Sequence, residues 1–177
     1  WDVMPGLITR VKKRGCLVLH QVGTADAARQ AEDAGADVLI AQGVEAGGHV
    51  HGRTSMLALV QEIVAQSKLP VVATGGISTG AGLVAALAFG AQGVQLGTAF
   101  LATTESFAHD YHKQRIVEAR SGDTVLTDLY VLNWPAYAAV RVIGNSDSIS
   151  LPAAPPAACA YAVPIMGKPS TNQKVNC

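Results

Sequence analysis

Four apolar runs recur along the chain, and each leads into a segment with helical character. "CLVLHQVG" precedes "ADAARQAEDAG", with Thr24 as cap and Gly35 as stop. "ADVLIAQG" precedes "MLALVQEIVAQS", capped by Thr54 or Ser55. "LPVVATGG" precedes "GAGLVAALAFG", started by Ser78 or Thr79, and "AQGVQLGTAFL" precedes "ESFAHDYHKQRIVEA". Strands alternating with helices at this spacing pair in parallel, because each return to the sheet needs a crossover. The runs are almost continuously apolar, as strands covered on both faces are. The pattern predicts an α/β protein, either an open doubly wound sheet or a closed barrel. An eight-fold barrel takes about 250 residues, so four βα units make roughly half of one.

An earlier helix is expected over "PGLITRVKKRG", with Pro5 in its first turn and Gly15 as stop. Its basic "VKKRG" end complements the helix dipole. In the last helix Phe107, Tyr111, Ile116 and Val117 are expected core contacts. After Gly122 the pattern fades, and "DTVLTDLYVLNWPAYAAVRVIGNS" is expected to hold a strand or a short helix. The expected organisation is a barrel segment over 1–145 and an irregular Ala/Pro-rich tail over 146–177. The chain starts at Trp1 rather than Met, which points to a beginning inside a longer protein.

Composition excludes several classes. The chain has 177 residues, 49% hydrophobic and 15% charged, so it is globular rather than disordered. Lys plus Arg and Asp plus Glu each number 13, and no basic run occurs, so a nucleic-acid partner is not expected. No apolar run reaches the roughly 18 residues of a membrane span. Cys16, Cys159 and Cys177 form neither a disulfide framework nor a zinc spacing, and a reducing, cytoplasmic setting is expected.

The chemistry is expected at the C-terminal ends of the four strands, where α/β folds bind ligands. Those ends are small or polar: Gln21 to Gly23, Gln42 to His49, Thr74 to Gly76, and Gln95 to Thr98. Turn chemistry explains any one of them, but four in series point to a common rim. "TGGIST" opens a helix, and backbone N–H groups there can hold a phosphate. Neither a P-loop nor a dinucleotide fingerprint is present. In "EAGGHVHG" glycines allow close backbone approach, and His49 can exchange a proton near neutral pH. His51 is read as a solvated neighbour, and His20 as a core residue. Cys16 is read as a small buried one, and His109 and His112 as surface residues. Glu45 either pairs within its loop or faces water. No metal is expected.

"QGVEAGGHVHG", "PVVATGGISTGAGLVAALAFGAQGVQLGTAFLAT" and "NWPAYAAVRVIGNS" resemble the nitronate monooxygenases, FMN-dependent (β/α)8 TIM barrels. The resemblance covers about residues 1–145, the C-terminal half of such a barrel. It implies FMN as cofactor and oxidation of an alkyl nitronate by O₂ to a carbonyl compound and nitrite. By position it implies His49 as the base toward the substrate's α-proton. It implies Gly75, Gly76, Gly97 and Thr98 around the FMN phosphate, with Ala73 and Gln95 on the strands leading there. Gln21 and Gln42 would face the flavin ring, with Ala46, Gly47 and Gly48 as its wall. A loop like "EAGGH" also resembles flavin-dependent enoyl-ACP reductases, which use NAD(P)H. A third expectation is a catalytically silent half-barrel that pairs with itself or with a missing N-terminal half.

Overall fold

The computed structural model describes residues 3–131, 134, 135 and 138–145. The tail expected over 146–177 lies outside the described residues. The alternation read from the sequence appears as α1 (Pro5–Lys12), β1 (Leu19–Val22), α2 (Ala25–Asp33) and β2 (Val38–Gln42). A two-residue strand β3 (Gly48–His49) interrupts it before α3 (Met56–Gln66), β4 (Val71–Thr74), α4 (Gly80–Ala88) and β5 (Gly93–Gln95). The helix starts are chemical. Thr24, Ser55 and Thr79 each accept a hydrogen bond from the N–H three residues on, at 3.1, 3.4 and 3.2 Å. Ser55 is therefore the cap rather than Thr54, and Thr79 rather than Ser78.

The four longer apolar runs pair in parallel in the order β1-β2-β4-β5. Leu39, at the centre of this sheet, lies beside His20 on one side and Val71 on the other. Val22, Leu39, Ala41, Val71 and Ala73 from the sheet are buried against Leu59, Val60 and Ile63 of α3. Helix α2 buries only alanines, Ala25, Ala28 and Ala31, spaced three apart on one face. It also makes polar contacts: Arg29 donates to Gln66 at 2.7 Å, and Ser67 donates to Glu32 at 2.5 Å.

One ion pair ties α1 to the sheet. Lys12 reaches Asp37 at 2.7 Å and also donates to the Gly35 carbonyl at 2.9 Å, while Asp37 accepts from the Val18 N–H at 2.8 Å. The "VKKRG" end therefore closes the loop before β2 as well as complementing the dipole. The hydrogen bond from Lys12, followed by that from Val18, holds the Asp37 carboxyl below the usual aspartate range. A depressed folded-state value favours the native state above the unfolded value and loses that contribution as pH falls through the folded one. The difference in urea midpoint between the wild type and Asp37→Asn is expected to be constant above about pH 5 and to shrink below about pH 4. A difference that grows on acidification would contradict this assignment.

Several expectations change in three dimensions. The fourth strand is short, because Thr98–Leu101 turn into a helical segment, α5, at its end. The last helix, α6, spans Asp110–Glu118, and Phe107, Tyr111 and Val117 are exposed instead of buried, while Ile116 is half-buried. Their spacing is helical, but none of the described elements packs on that face closely enough to bury it. Cys16 is exposed because the strand starts only at Leu19. His20 is half-buried, with its ring Nδ1 3.1 Å from the Gln21 carbonyl. The faded region holds two strands, β6 (Thr124–Thr127) and β7 (Val140–Ile143), which pair antiparallel. Strand β7 also pairs antiparallel with β3, giving a second sheet in the order β3-β7-β6. That sheet was absent from the sequence reading.

Candidate functional site

The segment between β2 and α3 is a hub on the rim. Its base is closed by the Val44 N–H donating to the Thr54 carbonyl at 2.9 Å. On the β1 side Gly23 and Gly52 meet so closely that a Cβ on Gly52 would overlap the Gly23 carbonyl. The Gly23 N–H donates to Nδ1 of His51 at 2.9 Å. His51 is thus half-buried and tied to β1, not a solvated neighbour. On the β4 side a Cβ on Gly75 would stand 3.2 Å from the Ala46 nitrogen. On the β5 side a Cβ on Gly47 would stand 2.6 Å from the Thr98 hydroxyl. The four strand ends therefore meet around one loop.

Gln42 organises the loop from below. Its side chain is 95% removed from solvent, with 5% exposure. Nε2 donates to the His49 carbonyl at 2.9 Å, and Oε1 accepts from the His51 N–H at 3.0 Å. Both ends of the carboxamide are thereby spent on the backbone flanking Val50. Glu45 accepts from the Met56 N–H at 3.0 and 3.2 Å, at the first turn of α3, where a negative charge is favoured. Glu45 therefore pairs with the start of α3 rather than within its loop, and it stays exposed.

His49 stands where three elements meet. Its backbone is paired with Val140 of β7, and its imidazole stacks on the Trp134 indole with centroids 4.1 Å apart and planes 17° apart. The residue is half-buried, and its Nε2 is shielded from solvent. Gly48 beside it has φ +80, a left-handed conformation that favours glycine, and a Cβ there would meet nothing within 4 Å. Packing accounts for the small size of Ala46 and Gly47, whereas Gly48 borders open space.

The remaining predicted residues are distributed along the same rim. Gln21 is half-buried one residue before the end of β1. Ala73 is fully buried in β4, and the Thr74 hydroxyl donates to the Gln95 carbonyl at 2.9 Å, locking the ends of β4 and β5 together. Gln95, Gly97 and Thr98 are exposed, and Gly97 caps α5. Gly75 and Gly76 have φ of +111 and +68. Among the described residues the N–H groups of Gly75, Gly76 and Gly97 meet no acceptor. A set of undischarged N–H donors at strand ends suits an anionic phosphate, and the open space at Gly48 and Gly97 leaves room for a group to approach. On these two observations the residues present fit the phosphate end of a flavin mononucleotide.

Two neighbours of the loop escaped the sequence reading. Arg141 donates through Nε and Nη2 to the Val44 carbonyl at 3.1 and 2.9 Å, and Trp134 covers the His49 ring. The signal for Arg141 was a single charge inside the apolar run "AAVRVI", which local pattern alone assigns to a solvated strand face. His109 accepts from the Tyr111 N–H at 3.2 Å and caps α6. Among the described residues no helix is long and apolar enough to cross a membrane.

The sequence matches the nitronate monooxygenase family over residues 3–146. The chain belongs to that family. A probable nitronate monooxygenase of Bacillus subtilis is 39% identical over 131 residues, covering 70% of this chain and 38% of that protein. A relative from Mycobacterium tuberculosis, named (3aS,4S,5R,7aS)-5-hydroxy-7a-methyl-1-oxo-octahydro-1H-indene-4-carboxyl-CoA dehydrogenase, is 43% identical over 123 residues, covering 68% of this chain and 35% of that protein. Among solved structures, FabK from Thermotoga maritima superposes with a TM-score of 0.77 at 37% identity, covering 85% of this chain and 46% of that one. Nitroalkane oxidase from Streptomyces ansochromogenes gives a TM-score of 0.72 at 38% identity, covering 80% and 42%. The chain thus spans little more than a third of the curated relatives it matches, and about half of a (β/α)8 barrel. Nitronate monooxygenases are flavin-dependent enzymes that act on small molecules.

Proposed function

We propose that this chain is the C-terminal, proton-accepting and phosphate-holding half of an FMN-dependent barrel that oxidises alkyl nitronates with O₂ to a carbonyl compound and nitrite. The observation that carries the reading is the His49 loop, held by the ends of all four parallel strands. When bound, FMN supplies the electron transfer from substrate to O₂. The residues of the chain do the rest. Gly75, Gly76, Gly97 and Thr98 offer donors to the phosphate, with Ala73 and Gln95 setting the strands beneath them. Gln21 and the backbone of Ala46, Gly47 and Gly48 border the ring, and Gln42 fixes the loop that carries them. His49 takes the α-proton of a neutral nitroalkane on its imidazole. Trp134 stacks on that imidazole and limits the orientations it can take. Residues 1–145 form the barrel segment in this proposal, residues 146–177 an appended tail, and the protein works in the cytoplasm.

The test is a visible spectrum followed by an assay. The protein mixed with FMN and passed through a desalting column is expected to keep a flavin absorbance, and to release nitrite from a preformed nitronate with uptake of O₂. A colourless chain would mean that the strands of a second half, in the same or another polypeptide, are needed to hold the flavin. Flavin retained without nitrite release would reject the nitronate reading.

A second reading is a flavin-dependent reductase of carrier-bound acyl substrates, such as an enoyl-ACP reductase using NAD(P)H. The relative named as a carboxyl-CoA dehydrogenase favours it. Anaerobic mixing with NADH separates the two, because rapid bleaching of the flavin supports the reductase.

A further inference from the structure

We infer that Arg141 is the residue that positions the His49 loop. The kinetic part of this inference rests on the proposed role of His49, and the structural part does not. Arg141 lies on β7, 97 residues from Val44, and its guanidinium makes three hydrogen bonds, two to Val44 and one to Thr124. Nε and Nη2 both donate to the Val44 carbonyl, at 3.1 and 2.9 Å, and Nη1 donates to the Thr124 hydroxyl of β6 at 3.1 Å. The backbone of the same stretch holds the other end of the loop. Arg141 lies opposite Gly48, Val140 lies opposite His49, and the Val50 N–H donates to the Ala139 carbonyl at 2.8 Å. Residues 139–141 therefore grip the loop on both sides of Glu45, Ala46 and Gly47.

The loop needs an external hold. Gly47 and Gly48 adjoin His49, and glycines leave a span conformationally loose unless something outside restrains it. From below, Gln42 restrains His49 and His51 but not Val44. The Val44 N–H is tied to Thr54 within the loop, and Arg141 holds the Val44 carbonyl from outside it. Among the described residues no carboxylate forms an ion pair with Arg141, so its bonds go to neutral acceptors and its task is geometric rather than charge pairing. The planar fork is what allows two N–H groups to converge on one carbonyl while a third reaches across to β6. A lysine offers a point charge on a flexible stem and cannot hold the loop and β6 at once.

The test compares the full chain with Arg141→Lys and Arg141→Met. Hydrogen exchange, read by mass spectrometry on peptides spanning 44–50, is expected to rise about tenfold or more in Arg141→Met and less in Arg141→Lys, with β1, β2 and β4 unchanged. With FMN bound, kcat on a neutral nitroalkane is expected to fall about tenfold or more while KM stays within about threefold, since a small displacement of a catalytic group costs rate rather than binding. Turnover of the preformed nitronate is expected to change little. Exchange at 44–50 equal to that of the wild type would overturn the inference. So would exchange that rises equally across the parallel sheet, which would mark Arg141 as a general stabiliser. A wild type that does not turn over nitroalkane would defeat the reading of His49, and the exchange data would still decide the role of Arg141.

Discussion

Replacing His49 by alanine in the complete flavoprotein is expected to lower kcat/KM on a neutral nitroalkane by about 10²–10⁴-fold, the usual contribution of a positioned general base. That is about 3–5 kcal/mol of transition-state stabilisation. Turnover of a preformed nitronate is expected to survive, because its proton has already gone. The flavin absorbance is expected to be retained, since the proposed phosphate donors sit on the ends of β4 and β5 and not on His49. Stopped-flow or steady-state assays on the two substrate forms check the contrast. Equal losses on both forms would move His49 from proton acceptor to a binding or structural role. Unchanged turnover of the neutral form would remove it from the mechanism.

Replacing Gln42 by leucine is expected to cost about 2–4 kcal/mol of stability, because the part-buried His49 carbonyl and His51 N–H would each lose a partner that a leucine cannot replace. The size of the side chain is nearly conserved, so a cavity contributes little. Chemical denaturation of the two proteins measures the loss. The same variant is expected to reduce turnover of the neutral nitroalkane, since the backbone that carries His49 is no longer held from β2. A variant as stable as the wild type would mean that water takes over both hydrogen bonds and that the carboxamide is not the clamp.

The parts of the fold that were legible locally are those governed by short-range chemistry. The Thr24 cap and the stop at Gly35 could be read because a side-chain acceptor three residues ahead and a terminating glycine act within a single turn. The strands of the parallel sheet could be read because burial on both faces demands continuous apolar runs. The misreadings have a common cause. Phe107, Tyr111 and Val117 share a helical spacing, but burial requires a neighbouring surface, and spacing says nothing about whether one is present. Residues 91–101 looked like one strand, but the chain turns after Gln95, where Gly97 begins a helical turn. Leu19 to Val22 form a shorter strand than the apolar run they sit in, so Cys16 falls outside it.

The candidate site divides in the same way. The sequence alone established that four strand ends carry small and polar residues, that a histidine follows paired glycines at one of them, and that the chain is built of βα units. These follow from periodicity and residue chemistry, both of which act locally. Only the tertiary structure decided what holds the histidine. Strand β7 pairs with Gly48 and His49, Trp134 stacks on the imidazole at 4.1 Å, and Arg141 reaches Val44 across 97 residues. Antiparallel register and a side chain's choice of a distant carbonyl depend on where the whole chain comes to rest, and no window of neighbouring residues contains that information.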